Sequence, residues 1–113
     1  KLQAPDDNST INRSFRVAFN WGFNPKVRDY RVEVRALSDD DQRVVDTGFQ
    51  PFDGDTFQCG HEVFGTDAIC NTGCLFQPDR QWLPGDYRWR VSWRRDADAD
   101  TFKAEWQRFT IEP

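Results

Sequence analysis

Large apolar side chains fall at every second position along Phe15-Arg16-Val17-Ala18-Phe19-Asn20-Trp21, a period that places them on one face of an extended strand. The same alternation recurs at Tyr30, Val32, Val34 and Ala36, interleaved with Arg31, Glu33 and Arg35. It returns at Tyr87, Trp89, Val91 and Trp93, interleaved with Arg88, Arg90 and Ser92. Segments of this kind read as half-buried strands with a polar outer face. Arg43 to Thr47 reads as a further strand closed by Gly48, and Phe102 to Ile111 reads as the last. No segment carries a helical period. The separators Asn24-Pro25, Ser38-Asp39-Asp40-Asp41, Pro84-Gly85-Asp86 and the Asp-Ala repeat are turn chemistry. Short strands so spaced predict an all-β antiparallel sandwich of about seven strands.

Trp21, Tyr30 and the run Leu83-Pro84-Gly85-Asp86-Tyr87-Arg88-Trp89-Arg90-Val91, in that order, resemble the marker residues of fibronectin type III domains. Those domains, immunoglobulin-like in architecture, carry a Trp on the second strand, a Tyr opening the third and a Leu-Pro-Gly-x-Tyr run leading into the sixth. The ending Trp106-Gln107-Arg108-Phe109-Thr110-Ile111 is similar to that of the bacterial extracellular versions. The resemblance covers residues 14–50 and 80–112. It implies that Tyr87 is a tyrosine-corner residue whose hydroxyl ties loop backbone to strand, with Leu83 as the plug beneath it.

Residues 50–81 depart from that pattern as one long, cysteine-containing insertion. A stretch of this length is expected to be functional or disordered. Phe52, Phe57, Phe64 and Phe76 inside it, with Phe49 and Trp82 at its ends, argue for order, as a cap on one edge or end of the sandwich. All three cysteines, Cys59, Cys70 and Cys74, lie here, and a disulfide of Cys59 with Cys70 or Cys74 is expected in an oxidising compartment. With His61 the same cysteines make a Cys3His set, the ligand types of a structural zinc site, although one residue between Cys59 and His61 is closer than usual knuckle spacing.

Length and composition bound the rest. The chain has 113 residues, enough for one domain spanning 1–113, and ten Phe, five Trp and two Tyr supply bulky core material. Its apolar runs are far too short to cross a bilayer, so no membrane insertion is expected. Lys1 is not a natural start, which reads as a mature or excised piece of a larger secreted or cell-surface protein. Fifteen basic against nineteen acidic residues, a net charge of −4, give no basic footprint for nucleic acid. The acids gather in turns while the arginines lie on strands.

Asp96, Asp98 and Asp100 repeat the first three ligand positions of a calcium loop, but Thr101 stands where the turn wants Gly and Gln107 where a bidentate Glu should be. Calcium is therefore a possible cofactor and no other is implied. Arg31, Arg35, Arg88 and Arg90 are expected on one outer face with Glu33, Lys103 and Glu105, as a ladder of weak ion pairs. The last strand holds a conflict of parity. If Phe109 and Ile111 face the core, alternation sends Phe102, Ala104 and Trp106 outward, unless a bulge restores register or arginine stems cover Trp106. Asn8-Ser9-Thr10 and Asn12-Arg13-Ser14 fit the glycosylation pattern.

No nucleophile elbow, phosphate loop or metalloprotease motif is present, and the lone His61 has no partner at motif spacing. The expectation is a non-catalytic accessory module beside neighbouring domains. Its favoured partner is a polysaccharide or glycan held on exposed rings, with Trp82, Phe102 and Trp106 stacking on sugar faces and Arg88 and Arg90 bonding hydroxyls. The alternative is a structural spacer or protein-interaction module with no small-ligand site.

Overall fold

In a computed structural model that describes residues 2–12, 17–22, 26–60, 73–95 and 100–113, the alternating segments form strands that build two sheets. The order along the chain is β1 (Leu2–Ala4), β2 (Ser9–Ile11), β3 (Phe19–Gly22), β4 (Asp29–Ala36), a 3-10 turn (Leu37–Asp39), β5 (Gln42–Asp46), β6 (Gln50–Pro51), β7 (Gln58–Gly60), β8 (Gly73–Phe76), β9 (Gly85–Arg94), β10 (Phe102–Lys103) and β11 (Gln107–Ile111). One sheet has the order β1-β3-β8-β7. The other runs β2-β11-β9-β4-β5, with β10 also on β9 and β6 also on β4. Pairing is antiparallel throughout except where β2 lies parallel to β11.

The period-two pattern accounts for the centre of this sandwich. β4 and β9 pair in a register that sets Tyr30 opposite Trp93, Val32 opposite Val91, Val34 opposite Trp89 and Ala36 opposite Tyr87. These residues point between the sheets, and all are buried except Trp93, which is half-buried. Across the gap, Val17, Phe19 and Trp21 present the matching face at 2% exposure or less. Phe19 is the hub: its ring lies 5.0 Å from Trp89, 5.8 Å from Phe109, 6.0 Å from Trp82 and 6.4 Å from Phe76, centroid to centroid. Burying each such ring stabilises the fold by roughly 1.5–3 kcal/mol, and the tilted geometries suit aromatic quadrupoles. The Trp89 indole N–H donates to the Pro5 carbonyl at 3.2 Å, which ties the chain's start to the core.

The acidic and glycine turns have local causes. Asp40 and Asp41, in succession after the 3-10 turn, take positive φ (54° and 59°), a conformation Asp tolerates better than most residues. Gly85 has φ +142°, a conformation that L side chains rarely adopt, so glycine is favoured there, and a Cβ would also crowd the Ser38 hydroxyl at 2.5 Å.

Two expectations need correction. The insertion is not a cap: it supplies β6, β7 and β8, and β8 is an interior strand of the four-stranded sheet between β3 and β7. Gly73-Cys74-Leu75-Phe76 is too short to stand out as an alternating run, yet its register with β3 sends Cys74 and Phe76 to the side of Trp21 and Phe19. Leu83 is not the plug beneath the tyrosine corner, being 74% exposed. Its neighbour Trp82 fills that place, 5.3 Å from Tyr87 and 6.0 Å from Phe109, because an indole fills the end of the core better than a leucine can.

The parity conflict in the last strand is settled by a bulge. Lys103 faces Ser92 and Gln107 faces Trp89, so three residues (104–106) lie against two (90–91), and one extra residue flips the register. Phe102 upstream and Phe109 and Ile111 downstream thereby share the inward parity of β9. The Ala104 N–H donates to the Val91 carbonyl at 2.9 Å within the bulge.

Candidate functional site

The outer face of the seven-stranded sheet carries the predicted arginines, Arg31, Arg35, Arg88 and Arg90, each paired with an acid, while Lys103 and Glu105 join no ion pair among the described residues. Arg31 grips Asp46 with Nε at 2.8 Å and Nη2 at 2.6 Å, a bidentate pair. Arg90 Nε reaches Glu33 at 3.2 Å, and Glu33 is nearly inaccessible at 3% side-chain exposure. Arg88 bonds both carboxylate oxygens of Asp41, and Arg94 donates to Asp29 at 2.7 Å. The Arg31 guanidinium, helped by the Gly48 N–H, holds the Asp46 carboxyl down at about 2 against the opposing effect of burial. The reciprocal bond raises Arg31. On this face these arginines are spent on internal acids.

Trp106, which the bulge delivers to the same face, lies over that ladder. The Arg88 and Arg90 guanidinium carbons sit 4.1 and 4.2 Å from its ring centre, and Arg35 sits at 6.0 Å. The indole is half-buried, a cover for the cations rather than a free platform.

Phe102 has the opposite setting. It is 43% exposed and stands in register with Trp93 at the end of β9. The two rings stack, with planes 17° apart and centroids 6.1 Å apart. The Arg95 guanidinium lies 5.8 Å from the Phe102 ring centre. Trp93 and Arg95 were not singled out by sequence reasoning. The available signal was position: Trp93 is the last inward member of its alternating run, where the core ends.

Trp82 is removed from the set of surface stacking residues, since it is 5% exposed, with Phe19, Tyr87 and Phe109 around it and Arg80 4.8 Å from its ring centre. A Trp flanked by Gln and Leu gives no alternation from which burial could be read. The Tyr87 hydroxyl donates to the Leu83 carbonyl at 2.6 Å, and burial pushes its phenol upward.

Cys59 bonds to Cys74 across β7 and β8, where the two residues face each other directly with Cα atoms 4.0 Å apart. Disulfide sulfurs are not thiolates, so these two cannot serve the Cys3His zinc set. His61 and Cys70 lie outside the described residues, as do Asp96 and Asp98 of the calcium set, while Asp100 is exposed. Among the described residues no three His, Cys, Asp or Glu side chains converge to hold a metal. An open polar cleft of about 300 Å³ is lined by Asp55, Thr56, Gln58, Leu75 and Gln77. A smaller one of about 160 Å³ is lined by Asn8, Asp86, Arg108, Phe109 and Thr110. Neither is the enclosed apolar pocket typical of small-molecule sites.

Comparison with protein-family models, with curated proteins and with solved structures found no match to this chain.

Proposed function

We propose that the chain is a non-catalytic recognition module of the fibronectin type III-like kind within a larger extracellular protein, and that its ligand class is carbohydrate. The two-sheet sandwich and the Tyr87 to Leu83 bond agree with that kind of domain. The Cys59–Cys74 disulfide suits an oxidising compartment, and among the described residues no helix is long and apolar enough to cross a membrane. The carbohydrate reading rests on one observation: after the core has taken Phe19, Trp21, Phe57, Trp82, Trp89 and Phe109, the Phe102 ring is left 43% exposed, stacked with a half-buried Trp93. A flat apolar ring left exposed suits the apolar face of a sugar ring. A polysaccharide and glycan screen on the 113-residue chain, repeated with a chelator, tests the proposal. Binding to at least one class supports it, and silence across the panel ends it.

The alternative, a spacer or protein-interaction module, draws on a different observation. Trp82 is buried, and Trp106, Arg88 and Arg90 are occupied with one another and with internal acids. Such a face is built for solvation and for polar contact with a neighbouring protein surface. Capture of a defined neighbouring domain, together with no glycan binding, would favour it.

A further inference from the structure

One motif is used neither by the core nor by the reading above: Asn8-Ser9-Thr10, an asparagine followed two residues on by a hydroxyl. We infer that Asn8 is the acceptor of an N-linked glycan, carried on its side-chain amide at the turn that leads into β2. Such a modification requires the extracellular part of the proposed function and is independent of its ligand class. A three-residue pattern also arises by chance, so its setting in the fold decides.

The two groups that a glycosyl transferase reads, the amide and the hydroxyl, are open to solvent. Asn8 and Thr10 are exposed, whereas Ser9 and Ile11, which alternate with them, are half-buried. The Asn8 side chain makes no hydrogen bond among the described residues, so a sugar on its Nδ2 breaks none. The backbone is suited as well. The Ser9 N–H donates to the Asp6 carbonyl at 3.1 Å, closing a four-residue turn in which Asn8 is third, with φ 63°. Asparagine tolerates that conformation better than most residues. The Asn8 N–H donates to the Arg108 carbonyl at 2.8 Å, which holds the turn to the start of β11.

There is also room. β2 is an end strand of its sheet and pairs with β11 alone among the described residues, so a glycan that begins there extends past the sandwich. Beside Asn8 lies the open cleft of about 160 Å³, where Asp86, Arg108 and Thr110 offer polar groups to the hydroxyls of a first sugar. Asp6, an acid two residues ahead of Asn8, also fits the narrower acceptor pattern of bacterial transferases. The second pattern, Asn12-Arg13-Ser14, has no comparable support, since residues 13 and 14 lie outside the described residues.

The donor is an oligosaccharide on a polyprenyl diphosphate lipid. Asn8 Nδ2 bonds to the anomeric carbon of the first sugar as that carbon's bond to the diphosphate oxygen breaks. The lipid diphosphate leaves, the amide gives up one proton, and nothing is oxidised or reduced.

The experiment secretes the 113-residue chain from cultured eukaryotic cells behind a cleavable leader. Intact mass is read before and after peptide N-glycosidase treatment in heavy-oxygen water, which marks each released site as Asp, and fragmentation locates the mark. Wild type is compared with Asn8→Asp, which keeps a residue tolerant of positive φ, with Thr10→Val, which keeps the β-branched shape without the hydroxyl, and with Asn12→Asp. Expected are a glycan and a mark at Asn8 in wild type and in Asn12→Asp, and neither at that position in Asn8→Asp or Thr10→Val. Near-ultraviolet circular dichroism establishes that each variant is folded, and if one is not, the mark on the wild-type chain decides alone. Wild-type protein secreted with the Cys59–Cys74 disulfide closed and Asn8 unmarked overturns the inference. A glycan on Asn12 alone, or one that persists at Asn8 in folded Thr10→Val, overturns it too. None of these outcomes bears on the glycan-binding screen, so the acceptor site and the ligand class stand or fall separately.

Discussion

At the centre of the seven-stranded sheet β4 and β9 meet in eight consecutive residue pairs, whereas no described strand of the four-stranded sheet exceeds four residues and its outer pair is joined by a disulfide. The large sheet is a continuous ladder whose inner face is apolar and whose outer face is a chain of ion pairs. The small sheet has too little ladder to match it and relies on two other sources of order: contact of Phe19, Trp21, Phe57 and Phe76 with one another and with the opposite layer, and a covalent link between β7 and β8. Sheets of the same sandwich can thus owe their stability to different physics, pairing and packing in one and packing with cross-linking in the other.

The contrast can be broken most severely at its shared point. Phe19 belongs to the small sheet but contacts Trp89 and Phe109 of the large one, so Phe19→Ala should destabilise the whole protein by about 3–5 kcal/mol in denaturant titration, with both sheets unfolding together. Independent transitions for the two sheets would show that the core does not couple them.

Removing the cross-link should separate the sheets instead. Cys59→Ser with Cys74→Ser is expected to lose about 2–3 kcal/mol. Hydrogen exchange should rise first in β7 and β8, while β4 and β9 keep their protection. Equal loss of protection in both sheets would mean that the link serves the fold at large. A smaller effect is expected from Tyr87→Phe, which leaves the Leu83 carbonyl without its phenolic donor, at about 1 kcal/mol.

The least effect concerns the ion-pair face. The folded Asp46 carboxyl, at about 2, lies below its ordinary 3.8, so the stabilisation is fully present above about pH 4. It is lost as pH falls through the folded value, because the protonated acid no longer accepts the Arg31 bond as an anion. Solvent screening keeps the contribution near 1 kcal/mol. Asp46→Asn should therefore lower stability slightly at pH 7 and converge with wild type as pH falls below about 2. A constant difference across that range would contradict the assignment of the shift to the Arg31 pair.

Much of the large sheet was legible in the residues. Tyr30 to Ala36 and Tyr87 to Trp93 alternate without interruption, and long alternating runs have one register that buries every large side chain. The outer arginines followed from the same parity. The surface aromatics were less legible, because Phe102, Trp106 and Phe109 sit on both sides of a bulge, and a single extra residue changes which of them faces inward. Trp82 was misplaced for a related reason: an isolated indole in a connecting segment has no period, so only its neighbours in space, Phe19, Tyr87 and Phe109, decide that it is core.

Local chemistry alone determined that this chain is extended, layered and acid-rich at its turns, since side-chain alternation and turn preference act between residues close in sequence. Only the folded arrangement decided that residues 73–76 join β3, that Cys59 meets Cys74, and that Phe102 stays open while Trp106 covers arginines. Those outcomes depend on which distant strands become neighbours and at what offset, a choice made by the packing of all the aromatic rings at once.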